Sequence, residues 1–433
     1  MYHAPGLNGP WYWKWDWRHI NARKLFPGMF IAFLPFLIAQ YLYKSGNRSI
    51  AMPLGLVMLS TFALQLVAVA MQTDPFNLTA NIVYNVANPN ITGYFTDAMK
   101  YTNLREFLGS YHLVLPSLNV HSLTKPPGLI LFYVPFIRIF GYTPTAALLS
   151  GIVIGILSIF SVLTTFFLVT KLSGSREAGF DGASFLGLCP GLVLFFPEFD
   201  QVYPVLSCAL LISWIETLDK NQVRYSLAFG LLLSLVCFVS YSLLVTGIFL
   251  TLYSVYVLLD DHWANSKKLA IHAGISAAIV VGVYTAIWIF AGYNPIATFL
   301  AALENQAQLI QKLGRQNLYP ETILFDLTDF ALGSGWISFL LAFYFIIGKL
   351  TAGVDGHGRE FWFTVLIFIQ IFGVAVSGLL AVETARVWLF MLPLLMLPVG
   401  LELNKWNFPS RIAVYVGLWF LTTVICQNMW FAQ

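Results

Sequence analysis

The sequence predicts an all-α, polytopic membrane protein with about eleven to thirteen transmembrane helices and further helices lying along its outer face. Three observations carry that reading. Of 433 residues, 58% are hydrophobic, 16% aromatic and only 10% charged, which falls outside the range of soluble globular chains. The apolar residues gather into runs near the roughly 17 to 25 residues that a hydrocarbon core requires. Basic pairs recur at every second connection between those runs, as the positive-inside rule expects.

In order, about twelve runs meet the length criterion. They centre on 25–43, 51–71, 144–170, 183–198, 201–217, 225–240, 242–259, 269–291, 335–350, 361–380, 387–402 and 411–429. The run that follows Pro127 is too short to cross alone and reads as re-entrant. With the loop 72–127 placed outside, the inside connections carry Lys44 with Arg48, Lys171 with Arg176, Lys220 with Arg224, Lys267 with Lys268, Lys349 with Arg359, and Lys405 with Arg411. Residues 1–433 thus read as one transmembrane domain with two long outer loops, 72–127 and 292–334.

The segment 1–24 alternates Trp11, Trp13, Trp15 and Trp17 with Lys14, Arg18, Arg23 and Lys24. It lacks the apolar core of a signal peptide and suits the headgroup layer. The same topology puts its basic residues outside, so either the first run is not a true span or the segment is pinned to the outer headgroups. A net charge of +3 and the absence of any dense basic run argue against a nucleic-acid partner. The four cysteines, Cys189, Cys208, Cys237 and Cys426, all lie in apolar runs without CxxC spacing and read as packed small hydrophobes.

The stretch Ile91 to Gly141 combines charge, aromatics and backbone punctuation in this oily chain. Asp97 lies in Tyr94-Phe95-Thr96-Asp97-Ala98, and His121-Ser122-Leu123-Thr124-Lys125-Pro126-Pro127-Gly128 opens the next apolar run. Two consecutive prolines fix φ, remove two donors and bias Lys125 away from the helical region. Lys125 is therefore held at the lip of an apolar segment, near His121, where it would meet a phosphate or carboxylate or snorkel to the headgroups.

The same topology gathers other polar outliers on the outer side. They are Glu198 and Asp200 in Phe196-Pro197-Glu198-Phe199-Asp200, the loop from Tyr293 to Gly335, and Glu383 with Arg386. A charged side chain at the bilayer centre costs at least about 2.5–3.5 kcal/mol, so such groups need water, a partner or a function. Glu383 and Arg386 stand at helical i, i+3 spacing and can pair. Within the second loop, Phe299, Leu303, Leu309 and Leu313 define an apolar-periodic helix ending at Gly314, with Glu304, Asn305, Gln306, Gln308 and Gln311 on other faces. It is expected to lie along the outer surface as a lid or wall, its amides facing either sugar hydroxyls or water. The sequence has no Walker loop, dinucleotide fingerprint, HExxH or Cys/His metal spacing, and no paired broken helices of the secondary-transporter kind.

Asp97, the Lys125 to Gly128 element and Asp200 together resemble the GT-C class of membrane glycosyltransferases, specifically its protein-mannosyltransferase and aminoarabinose-transferase-like group. The likeness covers about the first half of the chain; the outer loop ending near Gly333-Ser334-Gly335 and the Glu383 to Trp388 segment are similar in position. Family members often carry two adjacent acids in the first loop, whereas this chain has one, in Thr96-Asp97-Ala98.

The resemblance implies a polyprenyl-phosphate-linked sugar donor, an acceptor yet to be identified, and inverting transfer on the extracytoplasmic side. It makes Asp97 the general base and Asp200 a second site carboxylate that orients Lys125, binds a sugar hydroxyl or helps hold magnesium or manganese. Lys125 and Arg386 become the cations that face the phosphate, with His121 and Glu383 in the same substrate-binding set. No metal ligand is assigned. The competing expectation is a catalytically inactive relative serving as an accessory subunit of a membrane assembly, or a lipid or solute transporter, which the single-acid loop also fits.

Overall fold

The computed structural model describes residues 14–15, 22–45, 49–73, 75–101, 103–312, 319–353, 358–378, 380 and 383–430. Trp11, Trp13, Trp17 and Arg18 of the expected interfacial segment lie outside the described residues, as do Arg48, Leu313 and Gly314. Two residues of that segment, Lys14–Trp15, form a short strand β1 that pairs antiparallel with β2, Met429–Trp430.

Among the described residues, every other regular element is helical. The chain runs through α1 (Ala22–Lys44), α2 (Ala51–Ala70), α3 (Leu78–Ala87), α4 (Tyr94–Met99), α5 (Leu104–Gly109), α6 (Tyr111–Val114) and α7 (Gly128–Phe140). There follow α8 (Pro144–Ser173), α9 (Arg176–Gly187), α10 (Pro190–Leu194), α11 (Tyr203–Lys220), α12 (Val223–Val239), α13 (Thr246–Asp260) and α14 (Ser266–Ala291). The last third holds α15 (Pro295–Lys312), α16 (Glu321–Ser334), α17 (Ile337–Thr351), α18 (Arg359–Ser377), α19 (Thr384–Val387), α20 (Leu392–Leu403) and α21 (Phe408–Asn428).

Among the described residues, eight helices are long and apolar enough to cross a bilayer, which makes this an integral, multi-pass membrane protein. α16 and α17 pass the same test only together and are bent by 100° at Gly335 and Trp336, both of which have positive φ, the geometry of a broken span or a re-entrant loop. Three shorter apolar helices, Gly128–Phe140, Val223–Val239 and Leu389–Leu403, cover the run after Pro127 and the runs expected at 225–240 and 387–402.

The run 183–198 is a correction: it is not one span. Pro190 begins a separate five-residue helix after the extended Cys189, and Pro197 ends the segment, so the run breaks into α9, α10 and a turn. Every residue from 178 to 204 is buried. A broken helix is tolerated at membrane depth only where protein covers it and supplies hydrogen bonds. Here Gln65 Nε2 donates to Leu192 O at 2.8 Å and Gln201 Nε2 to the same carbonyl at 2.6 Å, satisfying an acceptor that a continuous helix would have used.

The chain divides into two compact units. Unit 1 comprises Met1–Ile82, Gly151–Cys208 and Pro320–Gln433, and unit 2 comprises Val83–Ser150 and Ala209–Tyr319. Unit 1 is centred on the buried stretch just described. Its α9 carries Asp181, fully buried, whose carboxylate accepts from Arg411 Nη1 at 2.8 Å and from the Tyr415 hydroxyl at 3.0 Å. In unit 2, α12 lies against α14, where His272 bridges Ser226 Oγ at 2.6 Å and Asn221 Oδ1 at 2.7 Å.

The helix expected in the second loop exists as α15, but its buried face is not the apolar one. Thr298, Ala302 and Asn305 are buried, while Ile296, Leu300 and Leu303 are more than half exposed. Asn305 Nδ2 donates to Leu123 O at 2.9 Å, so this amide fastens the helix to the Lys125 segment and is not left for a sugar. The outward leucines suit a helix bathed in lipid or headgroups. The sequence reads 292–334 as loop, whereas the structure has helix α16 at its end, buried along one side.

Candidate functional site

In unit 2 the site is built around the first long loop. Gly93, in the left-handed region, starts α4 and puts Asp97 on that helix's buried side. Asp97 is fully buried, and both its oxygens are used: Oδ1 takes a 2.7 Å ion pair from Lys100 Nζ, and Oδ2 accepts the Asn119 main-chain N–H at 3.0 Å. Asn119 then donates its side-chain amide to Gly93 O at 3.1 Å and Thr96 Oγ1 at 3.0 Å. The acid therefore ties the two ends of the loop together while its charge is balanced by Lys100.

Lys125 follows from a turn and precedes the double proline. Its Nζ donates to Ser240 Oγ at 3.2 Å and Ser242 Oγ at 3.4 Å, on the turn between α12 and α13. Its main-chain carbonyl accepts the Tyr111 hydroxyl at 3.0 Å. The approach of α7 to α12 depends on Gly128, since a Cβ there would stand 2.3 Å from Phe238 O. His121, in the same turn as Lys125, is half-buried, and its carbonyl lies 3.5 Å from the Tyr94 hydroxyl.

Tyr111 is buried beside the Lys125 main chain. Burial pushes its hydroxyl well above the ordinary tyrosine range, and the neighbouring Tyr293, Asp97 and Tyr101 push it further. It is thus a neutral donor, close enough to feel the Asp97 charge and bonded to the Lys125 backbone. Tyr293, also buried, is raised to about 12.

Unit 1 holds the other sequence-predicted residues. Arg386, almost fully buried on α19, pairs with Glu383 three residues before it, at the spacing the sequence indicated, and its Nε is 3.3 Å from Asp200 Oδ2. One guanidinium thus faces two carboxylates. The turn that carries it is fastened from behind: Asp329 Oδ2 accepts the Ala385 N–H at 2.9 Å, and Thr384 Oγ1 donates to Asp326 O at 2.6 Å. Main chains also meet there, since a Cβ at Gly333 would stand 2.7 Å from Ala385 O and one at Gly191 2.9 Å from the same atom.

Lys100, Asn119, Tyr111, Ser240, Ser242 and Asp329 are the residues that sequence reasoning missed. Lys100 stands at i+3 from Asp97, a spacing that was readable. The serines are 115 and 117 positions from Lys125, and nothing local connects them. The divalent-cation reading does not fit. Asp97 pairs with the Lys100 ammonium and Asp200 faces the Arg386 guanidinium, so each carboxylate already has a cation beside it where magnesium or manganese would need its charge. Among the described residues no group of three His, Cys, Asp or Glu is arranged to hold a metal.

No protein-family model matches the chain, and no curated protein sequence does. Among solved structures, ArnT from Cupriavidus metallidurans in the apo state superposes with a TM-score of 0.47 and 14% sequence identity. The match covers 84% of this chain and 61% of ArnT, so the chain spans about three-fifths of that protein's length.

Proposed function

We propose that this protein is a GT-C-type glycosyltransferase that uses a polyprenyl-phosphate-linked sugar and transfers it, with inversion, to an acceptor on the extracytoplasmic side of the membrane. One observation supports this above the others. In unit 2 the buried Tyr111 donates to the main-chain carbonyl of Lys125, the lysine at the lip of an apolar helix, and lies within the field of the fully buried Asp97 carboxylate, 28 positions before that lysine. That pairing of a base with a phosphate-facing cation agrees with the motif resemblance in the first half of the chain.

In the proposed reaction, the acceptor hydroxyl oxygen attacks the anomeric carbon as the bond from that carbon to the phosphate oxygen breaks. The hydroxyl proton passes to Asp97. An ionised carboxylate offers about four lone-pair sites, so the contacts from Lys100 and Asn119 leave capacity for it. Polyprenyl phosphate departs with the charge that builds on it, and Lys125 meets that charge with Ser240 and Ser242 holding its ammonium in place. Arg386, already balanced by Asp200 and Glu383, presents little net positive charge. The phosphate role is therefore assigned to Lys125.

The test is sugar transfer by the purified full-length chain. Asp97→Asn should lower kcat by about 10²–10⁴-fold while leaving binding of the donor lipid intact, the range expected for loss of a general base. Lys125→Ala should raise the KM for the donor at least about tenfold, in line with a lost charge-assisted bond. Full activity of the asparagine variant would remove the base assignment, whereas no transfer by the unmodified chain would favour the accessory-subunit reading.

A further inference from the structure

α15 has two faces, and the reaction just described uses neither. The chain leaves the membrane-spanning α14 at Gly292, whose left-handed backbone ends that helix, and begins α15 at Pro295. Asn294 caps the new helix, accepting the Ala297 N–H on Oδ1 at 3.0 Å, and Pro295 supplies a first-turn φ that is already helical. α14 closes on Trp288, Ile289 and Phe290, all more than half exposed, side chains that suit the boundary between hydrocarbon and headgroups. α15 therefore starts at the depth where α14 leaves the bilayer.

Helical spacing divides the exposed surface of α15. Ile296, Leu300 and Leu303 fall on one side and continue the apolar surface at the end of α14, while Glu304, Gln308 and Gln311 fall on another. An amphipathic helix joined to a span in this way lies in the interface with its apolar side about 5–10 Å into the headgroup and acyl boundary.

The remaining side of α15 grips both turns that hold the Lys125 ammonium. Asn305 Nδ2 donates to Leu123 O at 2.9 Å, two residues before the lysine. Phe299 meets Tyr241 edge to face, with ring centroids 5.1 Å apart, and Tyr241 stands between Ser240 and Ser242, the two acceptors of Lys125 Nζ. Those two acceptor contacts are long, 3.2 and 3.4 Å, so a small displacement of one turn against the other decides whether they persist. An element attached to both turns fixes their spacing.

Resting on the glycosyl-transfer reading, we propose that α15 is a brace seated on the lipid surface: Ile296, Leu300 and Leu303 enter the headgroup layer, and Asn305 and Phe299 are positioning residues that keep the Lys125 turn in register with the Ser240 to Ser242 turn. The bilayer is then a structural partner of the site, holding the outer side of a helix whose inner side sets the lysine.

The seat and the brace are tested separately on the full-length chain in nanodiscs of dioleoylphosphatidylcholine. A spin label on Leu300→Cys should be relaxed by oxygen, which dissolves in lipid, in preference to a water-soluble nickel chelate, and a label on Gln308→Cys should show the reverse. The signal from the four native cysteines, measured on the unmodified chain, is subtracted. A label at 300 no better shielded from the chelate than one at 308 would overturn the seat.

For the brace, the probe is farnesyl phosphate bound at equilibrium. Asn305→Ala should weaken it about fivefold, the worth of one hydrogen bond, and Lys125→Ala at least about tenfold. In the double variant the affinity should equal that of Lys125→Ala alone, because a residue that acts through the lysine has no effect once the lysine is gone. Phe299→Ala, which leaves every hydrogen bond in place, repeats the same cycle should alanine at 305 unfold the loop. Unchanged affinity in Asn305→Ala, or losses that multiply in the double variant, would overturn the brace. Unchanged affinity in Lys125→Ala would instead strike the phosphate role of the lysine in the glycosyl-transfer reading, so the two failures are told apart.

Discussion

Gly128→Ala is the substitution that tests the site's geometry most directly. The added Cβ would stand 2.3 Å from Phe238 O and 2.9 Å from Val239 Cα, both main-chain atoms that cannot rotate away. Ordinary contact begins at 3.4 Å, so the start of α7 must retreat from α12 by about 1 Å. Lys125, three residues upstream and coupled by two prolines, travels with it. Its bonds to Ser240 and Ser242, at 3.2 and 3.4 Å, are already at the long end of the range, and a further ångström breaks both. A misplacement of that size can cost about 100-fold in rate, so kcat/KM for sugar transfer should fall by about that factor. Overpacking should also destabilise the fold by about 1–3 kcal/mol, which makes a thermal-unfolding measurement part of the same assay. An alanine variant that is folded at the assay temperature and retains wild-type kcat/KM would refute the claim that α7's seat on α12 sets the lysine.

Three further outcomes are expected. Asp329→Ala strands the buried Ala385 N–H and should cost about 1–3 kcal/mol in unfolding free energy, readable as a lowered Tm. Asp181→Leu leaves Arg411 without its carboxylate and should cost about 3–5 kcal/mol, with much of the loss restored when Arg411 is replaced by Met in the same chain. Asn119→Ala removes the side-chain amide bonds to Gly93 O and Thr96 Oγ1 while keeping the main-chain N–H to Asp97, so it should destabilise the first loop by about 1 kcal/mol per bond, read by limited proteolysis, without abolishing transfer.

Much of the architecture was legible because membrane helices announce themselves by length and composition, needing no tertiary information. The run 183–198 misled for a physical reason. Hydropathy cannot distinguish a lipid-facing span from a buried broken helix, and only the prolines at 190 and 197 hinted at the break. Residues 321–334 misled in the other direction: a helix carrying Glu321, Asp326 and Asp329 does not read as an apolar run, although it buries both aspartates. At the site, the Glu383–Arg386 pair was readable from i, i+3 spacing, and Lys100 should have been. Ser240 and Ser242 were not, because partners supplied across more than a hundred residues leave no periodic trace. The sequence left Asn305 open between sugar hydroxyls and water, and it is instead a fastener, a role that depends on which face of α15 turns inward.

The meeting of Gly191, Gly333 and the Ala385 carbonyl has a mechanical meaning for Arg386. With only hydrogen atoms between three stretches of main chain, the turn bearing this arginine has no slack in which to swing. Whatever ligand comes near must be met by rotation about the side-chain bonds, from an anchor that stays put. Any larger side chain at 191 or 333 would move that anchor before it changed a single charge.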